Sequence, residues 1–571
     1  MSNTLKLLIV VTTAPLACAH SEPAVSVPEP SHERPPSSVE GFEAVSQKIS
    51  ESRADYTAFG SYVTIIQKGK EVYTHVDGVA NAEHQVPLSE ETAFDLASIA
   101  KTVTGYAIAE LEEAGALSSS DDIRNYLPDF PDYGETITIA HLLHHTSGIK
   151  NWTGLLWQMR WPSSDRIAFD QMVRLAHAQT ELNFSPGTRY QYSNTGYVLL
   201  AAIVEKVTGE SFRDWTTRHV FAPLDMQKTF FKDDRHELIH NLAGAYGLNG
   251  KGEQVRDSNN TTALGSSSLI STGADMRKWM TFLMSPPAEK RAVVERMMTT
   301  RPLNDGGQNT YAYGIEIEAY RGVRYITHSG SWASHTSQIV LLPDLDTCVF
   351  VAHNFRTDTG YIANLYIDTL LPGEPTEESE DGTEPTSESE VELSGAQLDR
   401  FVGVYRLGKA WIVKITRDGN QLFTTANGEA TFPMRPIAEN IFRIRAYGNR
   451  TMTFNANAKG AITSLTYNES EAPKIAFSDP ARLDGFAEYE GVYFNVELEL
   501  MLNFVLKEDA LYANSIRHGN VKLVSVERDL FIGDGIIRTA KFSRDKNDKV
   551  VGFHVTNSKG ENRTAFRKAH H

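Results

Sequence analysis

Ser98 and Lys101 stand three residues apart in Phe94-Asp95-Leu96-Ala97-Ser98-Ile99-Ala100-Lys101-Thr102. That spacing puts the two side chains on one face of a helix. A serine hydroxyl is a weak nucleophile until an adjacent base takes its proton. A lysine can be that base once burial or a nearby cation lowers its pKa enough to leave a neutral amine. The run from Ser98 to Glu113 has helical spacing, with Ile99, Val103, Ile108 and Leu111 as its apolar set and Gly115 as a stop. Ser98 is therefore expected in the first turn, where the positive end of the helix dipole stabilises negative charge. Alone the pair is weak: Ser-x-x-Lys occurs on the order of once by chance in a chain this long. A serine N-cap followed by a solvated lysine accounts for it equally well.

Two further elements add polar groups. Tyr190-Gln191-Tyr192-Ser193-Asn194-Thr195-Gly196-Tyr197 follows the turn Ser185-Pro186-Gly187 and precedes the apolar run from Val198 to Val204, a core helix. Tyr192 and Asn194, two apart on a loop, can project into one cleft. A tyrosinate, or a tyrosine sharing a proton with Lys101, shuttles protons to a leaving group. Asn194 can donate to a substrate carbonyl and to Lys101. Tyr325-Ile326-Thr327-His328-Ser329-Gly330-Ser331 reads as a strand in which Gly330 allows substrate close to the backbone. His328 is expected to hydrogen-bond Tyr192 or the substrate. Each element also has a plain structural explanation: an aromatic turn packed on the core, and a strand histidine.

Together the three elements resemble the serine β-lactamase-related and penicillin-binding-protein family, in its class C β-lactamase, D-aminopeptidase and family VIII esterase branch. The flanking phrases Ile137-Thr138-Ile139-Ala140-His141-Leu142-Leu143-His144-His145-Thr146-Ser147-Gly148-Ile149 and Gly265-Ser266-Ser267-Ser268-Leu269-Ile270-Ser271-Thr272 agree with it. The resemblance covers about residues 40–370. It implies an α/β sandwich, an acyl-enzyme on Ser98, proton movement by Lys101 and Tyr192, and substrate placement by Asn194, His328, Gly330 and Ser331. It also implies an oxyanion hole from the backbone N–H groups of Ser98 and Ser331, and no cofactor. His141, His144 and His145 invite a zinc reading, but the resemblance makes them a scaffold phrase and no metal is expected. The departure is His328, where the β-lactamases have lysine. A largely neutral histidine removes a fixed charge near a substrate carboxylate, which disfavours β-lactams. The expected activity is a D-aminopeptidase-like peptidase or amidase. A carboxylesterase and a non-catalytic envelope-binding protein remain as alternatives.

The elements that must position these residues occupy only part of the chain. With 571 residues, several domains are expected. The apolar content of 41% is that of a globular protein, and a net charge of −17 argues against nucleic-acid partners. The partner expected is a small peptide or ester substrate, with cell-envelope association and no membrane span; the oligomeric state is left open. Residues 1–19 read as a signal peptide, with Lys6, the apolar run from Leu7 to Val11, and Ala17-Cys18-Ala19 as a cleavage site. The location implied is periplasmic or secreted, with a lipoprotein anchored through Cys18 as the alternative. After cleavage only Cys348 remains, so no intramolecular disulfide is expected.

Residues 20–38 read as a flexible tether and 39–372 as the catalytic domain. Residues 373–394 form an acidic linker without Lys or Arg, carrying about half the net charge. Beyond it come short alternating runs with turn signals such as Asp418-Gly419-Asn420 and Tyr447-Gly448-Asn449. Leu398-Asp399-Arg400-Phe401-Val402-Gly403-Val404-Tyr405 resembles Phe486-Ala487-Glu488-Tyr489-Glu490-Gly491-Val492-Tyr493, and the same offset puts Ile462 on Val550 and Leu465 on Phe553. Two small antiparallel β-barrels, 395–478 and 480–568, are expected.

Overall fold

The computed structural model describes residues 39–371, except 54–55, 159–160, 162–163 and 250–252. It also describes 391–569, except 392, 408–411, 427–430, 445–449, 469, 476–485, 508–509, 516–518, 534–536, 538 and 556–562. The expected signal peptide, the tether, nearly all of the acidic linker and the Tyr447-Gly448-Asn449 turn lie outside the described residues.

The first region is built on twelve strands: β1 Gly60–Gln67, β2 Lys70–Asn81, β3 Val86–Pro87, β4 Ala93–Asp95, β5 Phe230–Phe231, β6 Ala245–Leu248, β7 Gln254–Asp257, β8 Leu269–Thr272, β9 Glu316–Tyr320, β10 Val323–Trp332, β11 His335–Leu342 and β12 Thr347–His353. Seven form one antiparallel sheet in the order β3-β2-β1-β12-β11-β10-β9. Successive side chains point to opposite faces. On one face Val63, Ile65, Val340, Leu342, Val349 and Val351 pack with Phe42 and Ile49 of α1 (Val39–Ser52) and with Ile362 and Tyr366 of the helix Thr359–Asp368. On the other face Tyr62, Ile66, Ile339, Leu341, Cys348 and Phe350 join the main core. Both faces are covered, so β1, β11 and β12 carry almost no exposed residue. Cys348 is a free, buried thiol whose pKa burial pushes up to about 12.

The main core surrounds α2 (Ala100–Glu113), and the sequence expectation needs correcting here. The helix starts at Ala100, and Ser98 sits in a short 3₁₀ turn, Ala97–Ile99, in front of it. Nor is α2 amphipathic: everything from Ala100 to Ala109 is buried. The helix passes through the middle of the domain, so no single apolar stripe describes it. The helical lobe beside it contains α3 (Ile139–Leu143), α4 (Trp152–Gln158), α5 (Phe169–His177) and α6 (Asn194–Thr208).

The last region holds two closed barrels of eight antiparallel strands each, from Gly403–Arg406 to Ser470–Ile475 and from Gly491–Asn495 to Thr564–Lys568. Their strands follow chain order around each barrel, so no edge is left to aggregate. The repeat read in the sequence is repeated in detail. Tyr405 donates its hydroxyl to the Phe401 carbonyl at 2.7 Å, and Tyr493 donates to the Tyr489 carbonyl at 2.8 Å. Lys474 lies 5.6 Å over the Tyr405 ring and Lys568 lies 5.5 Å over the Tyr493 ring. The glycine shared by the two motifs has φ +158° at Gly403 and +135° at Gly491, a backbone that residues with a Cβ rarely adopt, and the lysine stems lie over it. A Cβ at Gly403 would stand 2.4 Å from Lys474 Cε, and one at Gly491 would stand 2.9 Å from Lys568 Cε. Ile462, Leu465, Val550 and Phe553 all face inward. Among the described residues no helix is long and apolar enough to cross a membrane.

Candidate active site

The chain enters the turn that carries Ser98 from β4. Ala97 is forced to φ +47°, a left-handed conformation that costs a residue with a Cβ about 1–2 kcal/mol. The Asp95 carboxylate holds this turn by accepting the Ala97 N–H at 3.0 Å. Asn259 then links two walls of the cleft. It donates from Nδ2 to Asp95 Oδ2 at 2.7 Å and accepts the Trp332 indole N–H on Oδ1 at 3.1 Å. Strand β10 comes in close on the other side. A Cβ at Gly330 would lie 2.1 Å from the Leu96 carbonyl oxygen. Gly330 therefore lets the turn that carries Ser98 come close to the strand. The Leu96 carbonyl is also the acceptor for Ser337 Oγ–H at 3.0 Å.

Lys101 Nζ lies 3.0 Å from Ser98 Oγ and donates to the Ser266 carbonyl at 2.6 Å. Lys101 is fully buried, and desolvation holds its pKa well below the usual 10.5. No carboxylate pairs with it among the described residues, so nothing offsets that burial. The second hydrogen-bond partner of Lys101 is thus the Ser266 carbonyl, where the sequence offered Asn194 as a donor to the lysine. The phrase around Ser266 was visible in the sequence, but a backbone carbonyl leaves no side-chain signal.

Tyr192 stands on the other side of Ser98. Its ring centroid is 4.9 Å from Lys101 Nζ. Burial pushes its phenol well above the usual 10, with the nearby Ser98 side chain pulling the other way. Tyr192 is therefore a protonated phenol near neutrality, and the tyrosinate suggested by the sequence is not formed there. The stretch 149–152 fixes this element. The Asn194 N–H donates to Asn151 Oδ1 at 3.2 Å, Thr195 Oγ–H donates to the Lys150 carbonyl at 2.9 Å, and the Trp152 N–H donates to Thr195 Oγ at 2.8 Å. Asn194 opens α6 and is half-buried.

His328 has another partner than expected. Tyr311 O–H donates to its Nε2 at 2.8 Å, while its Nδ1–H points to the Ser329 carbonyl at 2.6 Å. Tyr192 is a ring neighbour only, at 6.4 Å between centroids. Burial above all, with Lys101 nearby adding to it, pushes the His328 pKa down to about 3, so the imidazole is neutral. Beyond Thr327 the β9 side of β10 has no paired strand, which leaves the edge from His328 to Ser331 open toward Ser98. Ser331 is exposed on it.

Tyr311 escaped the sequence reading because it belongs to no short polar motif. Its signal was the aromatic pair Tyr311-Ala312-Tyr313 ahead of Gly314. The three histidines have structural partners: His141 Nδ1 accepts the Thr138 N–H in a capping box, His144 Nδ1–H donates to the Tyr311 carbonyl, and His145 Nδ1 accepts the Ser193 N–H. Among the described residues no group of His, Cys, Asp and Glu is arranged to hold a metal ion.

Known proteins give the same grouping. The family profile described as Beta-lactamase matches residues 45–368, more than half of the chain. Penicillin-binding protein 4* of Bacillus subtilis (strain 168) is 28% identical over 418 residues, covering 70% of this chain and 91% of that protein. The octameric penicillin-binding protein homologue from Pyrococcus abyssi superposes with a TM-score of 0.54 at 24% identity, covering 76% of this chain and 100% of that one. EstCE1, described as a hydrolase with promiscuous acyltransferase activity, shares the fold at a TM-score of 0.50 and 19% identity, over 58% of this chain and 98% of that one.

Proposed function

Since this chain belongs to the Beta-lactamase family and is a serine hydrolase, we propose that it cleaves amides lacking a carboxylate near the scissile bond through an acyl-enzyme on Ser98, as a D-aminopeptidase-like peptidase or amidase. The observation that carries the reading is the 3.0 Å contact between Ser98 Oγ and a fully buried Lys101 with no carboxylate partner among the described residues. One N–H of the neutral amine is spent on the Ser266 carbonyl, which leaves the lone pair for Ser98. Lys101 takes the serine proton as Oγ adds to the substrate carbonyl carbon. The N–H of Ser98, at a helix start with no intrahelical acceptor, and the N–H of Ser331 on the open strand edge hold the oxyanion. The Tyr192 hydroxyl donates to the departing nitrogen and is refilled from the Lys101 ammonium. Water then attacks the acyl-enzyme by the reverse proton path, restoring Ser98. No cofactor enters these steps.

The neutral His328 supports the choice of substrate. A positive charge there would contribute about 1–3 kcal/mol to a carboxylate-bearing substrate. Without it, peptides and esters that carry no carboxylate near the scissile bond are preferred. Measured side by side, kcat/KM is expected to be highest on D-Ala-p-nitroanilide, lower on p-nitrophenyl acetate and lowest on nitrocefin. Turnover of the ester alone would make the protein a carboxylesterase, and preference for nitrocefin would overturn the electrostatic argument. The Leu7–Ala19 segment supports a secreted or periplasmic location. An N-terminus at His20 in the mass spectrum is the expected result, and a diacylglyceryl group on Cys18 would make it a lipoprotein instead.

A further inference from the structure

Lys150 has its backbone in the stretch that anchors Tyr192 and Asn194, but its side chain runs the other way. It is 1% exposed, and its Nζ lies 3.3 Å from Glu497 Oε2 and donates to the Arg563 carbonyl at 2.6 Å. Glu497 and Arg563 both belong to the second barrel. Glu497 sits between the barrel strands Gly491–Asn495 and Leu500–Lys507 and is itself buried. It also accepts the Thr180 N–H at 3.0 Å and Thr180 Oγ–H at 2.6 Å. Gln179 completes the clamp by accepting the Lys150 N–H at 2.9 Å and donating to the Lys150 carbonyl at 3.1 Å. An apolar contact runs alongside. Leu155 of α4 is buried in the same cluster as the barrel residues Leu498, Tyr493 and Phe504, while Trp152 of α4 packs edge-on against Trp332 of β10.

We infer that the second barrel is a positioning part of the catalytic unit: Glu497, acting through Lys150, fixes the 149–152 stretch and with it the aim of Tyr192 and Asn194 at Ser98. The inference rests on the reading of Ser98 as nucleophile. Removing the Glu497 charge leaves the buried Lys150 only the longer contact to the half-exposed Glu181, 3.7 Å from its Nζ, and the structure must shift to rehydrate or re-pair the ammonium. A shift of a fraction of an ångström at the second element is enough to change rates.

The test uses the full chain and a fluorophosphonate probe, read as the second-order rate of labelling at Ser98, beside kcat and KM on p-nitrophenyl acetate. Glu497→Gln is expected to slow labelling about tenfold, lowering kcat more than it raises KM. Arg544→Met breaks ion pairs within the same barrel, to Glu488 and Asp529, far along the chain from the clamp. It is expected to lower Tm and leave labelling at the wild-type rate. If Glu497→Gln does not fold, Glu497→Asp keeps the charge but shortens the reach, and labelling is expected to slow about threefold. Labelling at the wild-type rate in the folded Glu497 variant, or an equal loss in Arg544→Met, overturns the inference. A wild-type protein that the probe does not label overturns the Ser98 reading first, and this inference with it.

Discussion

The cleft and the two barrels bury their residues in opposite ways. The cleft encloses groups that would rather be charged in water: Lys101, His145 and His328 are all buried and all have lowered pKa values. Each barrel instead encloses rings and branched chains, such as Tyr493, Phe504, Phe542, Phe553 and Phe566 in the second. The barrels gain stability from burial. The cleft gives some of it up to hold a lysine of lowered pKa and a neutral histidine beside a serine. Substitutions in the cleft should therefore act on rate, and those in a barrel core on stability.

The largest effect is expected for Lys101→Arg. A guanidinium stays protonated near neutrality and cannot take the serine proton, so kcat/KM should fall by about 10³-fold or more. Measurable wild-type turnover in that variant would make Lys101 a packing residue and erase the contrast. Next comes Phe454→Ala in the first barrel, which removes a ring 4.7 Å from that of Phe401 and in contact with Tyr405 and Phe442. Chemical denaturation should show a loss of about 3–5 kcal/mol, with kcat/KM unchanged where the protein is folded. A comparable loss of rate would show that the barrel core and the cleft are not separable.

The acid response sharpens the comparison further. The folded pKa values of His328, about 3, and His144, about 4, lie below the ordinary 6.5. Between pH 6.5 and about 3 the unfolded chain binds protons that the folded imidazoles refuse. The stability that these residues contribute is therefore present above 6.5 and lost as pH falls, by up to about 1.4 kcal/mol per pH unit for each histidine. The first barrel has no histidine. Hydrogen exchange from pH 7 to 4 should show protection falling in the catalytic domain before it falls in the first barrel, and a uniform loss would contradict this. The smallest effect belongs to Tyr311→Phe. It leaves His328 Nε2 without its donor, at a cost of about 1–3 kcal/mol in stability, while ester hydrolysis should persist at a reduced rate.

What could be read in the sequence follows from how local each signal is. Ser98 and Lys101 share a helical start, and the barrel repeat is carried by consecutive residues with an aromatic and a glycine in fixed places. Both were legible as patterns. The partner of His328 was not, because Tyr311 is distant from it in the chain and its pairing is set by the sheet and the loop before β9. The Ser266 carbonyl was hidden for a different reason: any residue supplies a carbonyl, and only the fold decides which one meets Lys101. Gly330 was noticed for close approach, but its neighbour the Leu96 carbonyl was not, since a glycine in a strand tells that something approaches and not what. The buried faces of α2 hid its surroundings, because a helix that is apolar nearly all round gives no direction to its core.

The central claim is that Ser98, activated by a neutral Lys101, forms the covalent intermediate. Intact-mass analysis with peptide mapping after fluorophosphonate treatment tests it most directly. One adduct per chain, on Ser98, absent from Ser98→Ala and formed with an acid limb well below pH 10.5 as Lys101 deprotonates, is the predicted result. An adduct that persists in Ser98→Ala, or that maps to another residue, would contradict it.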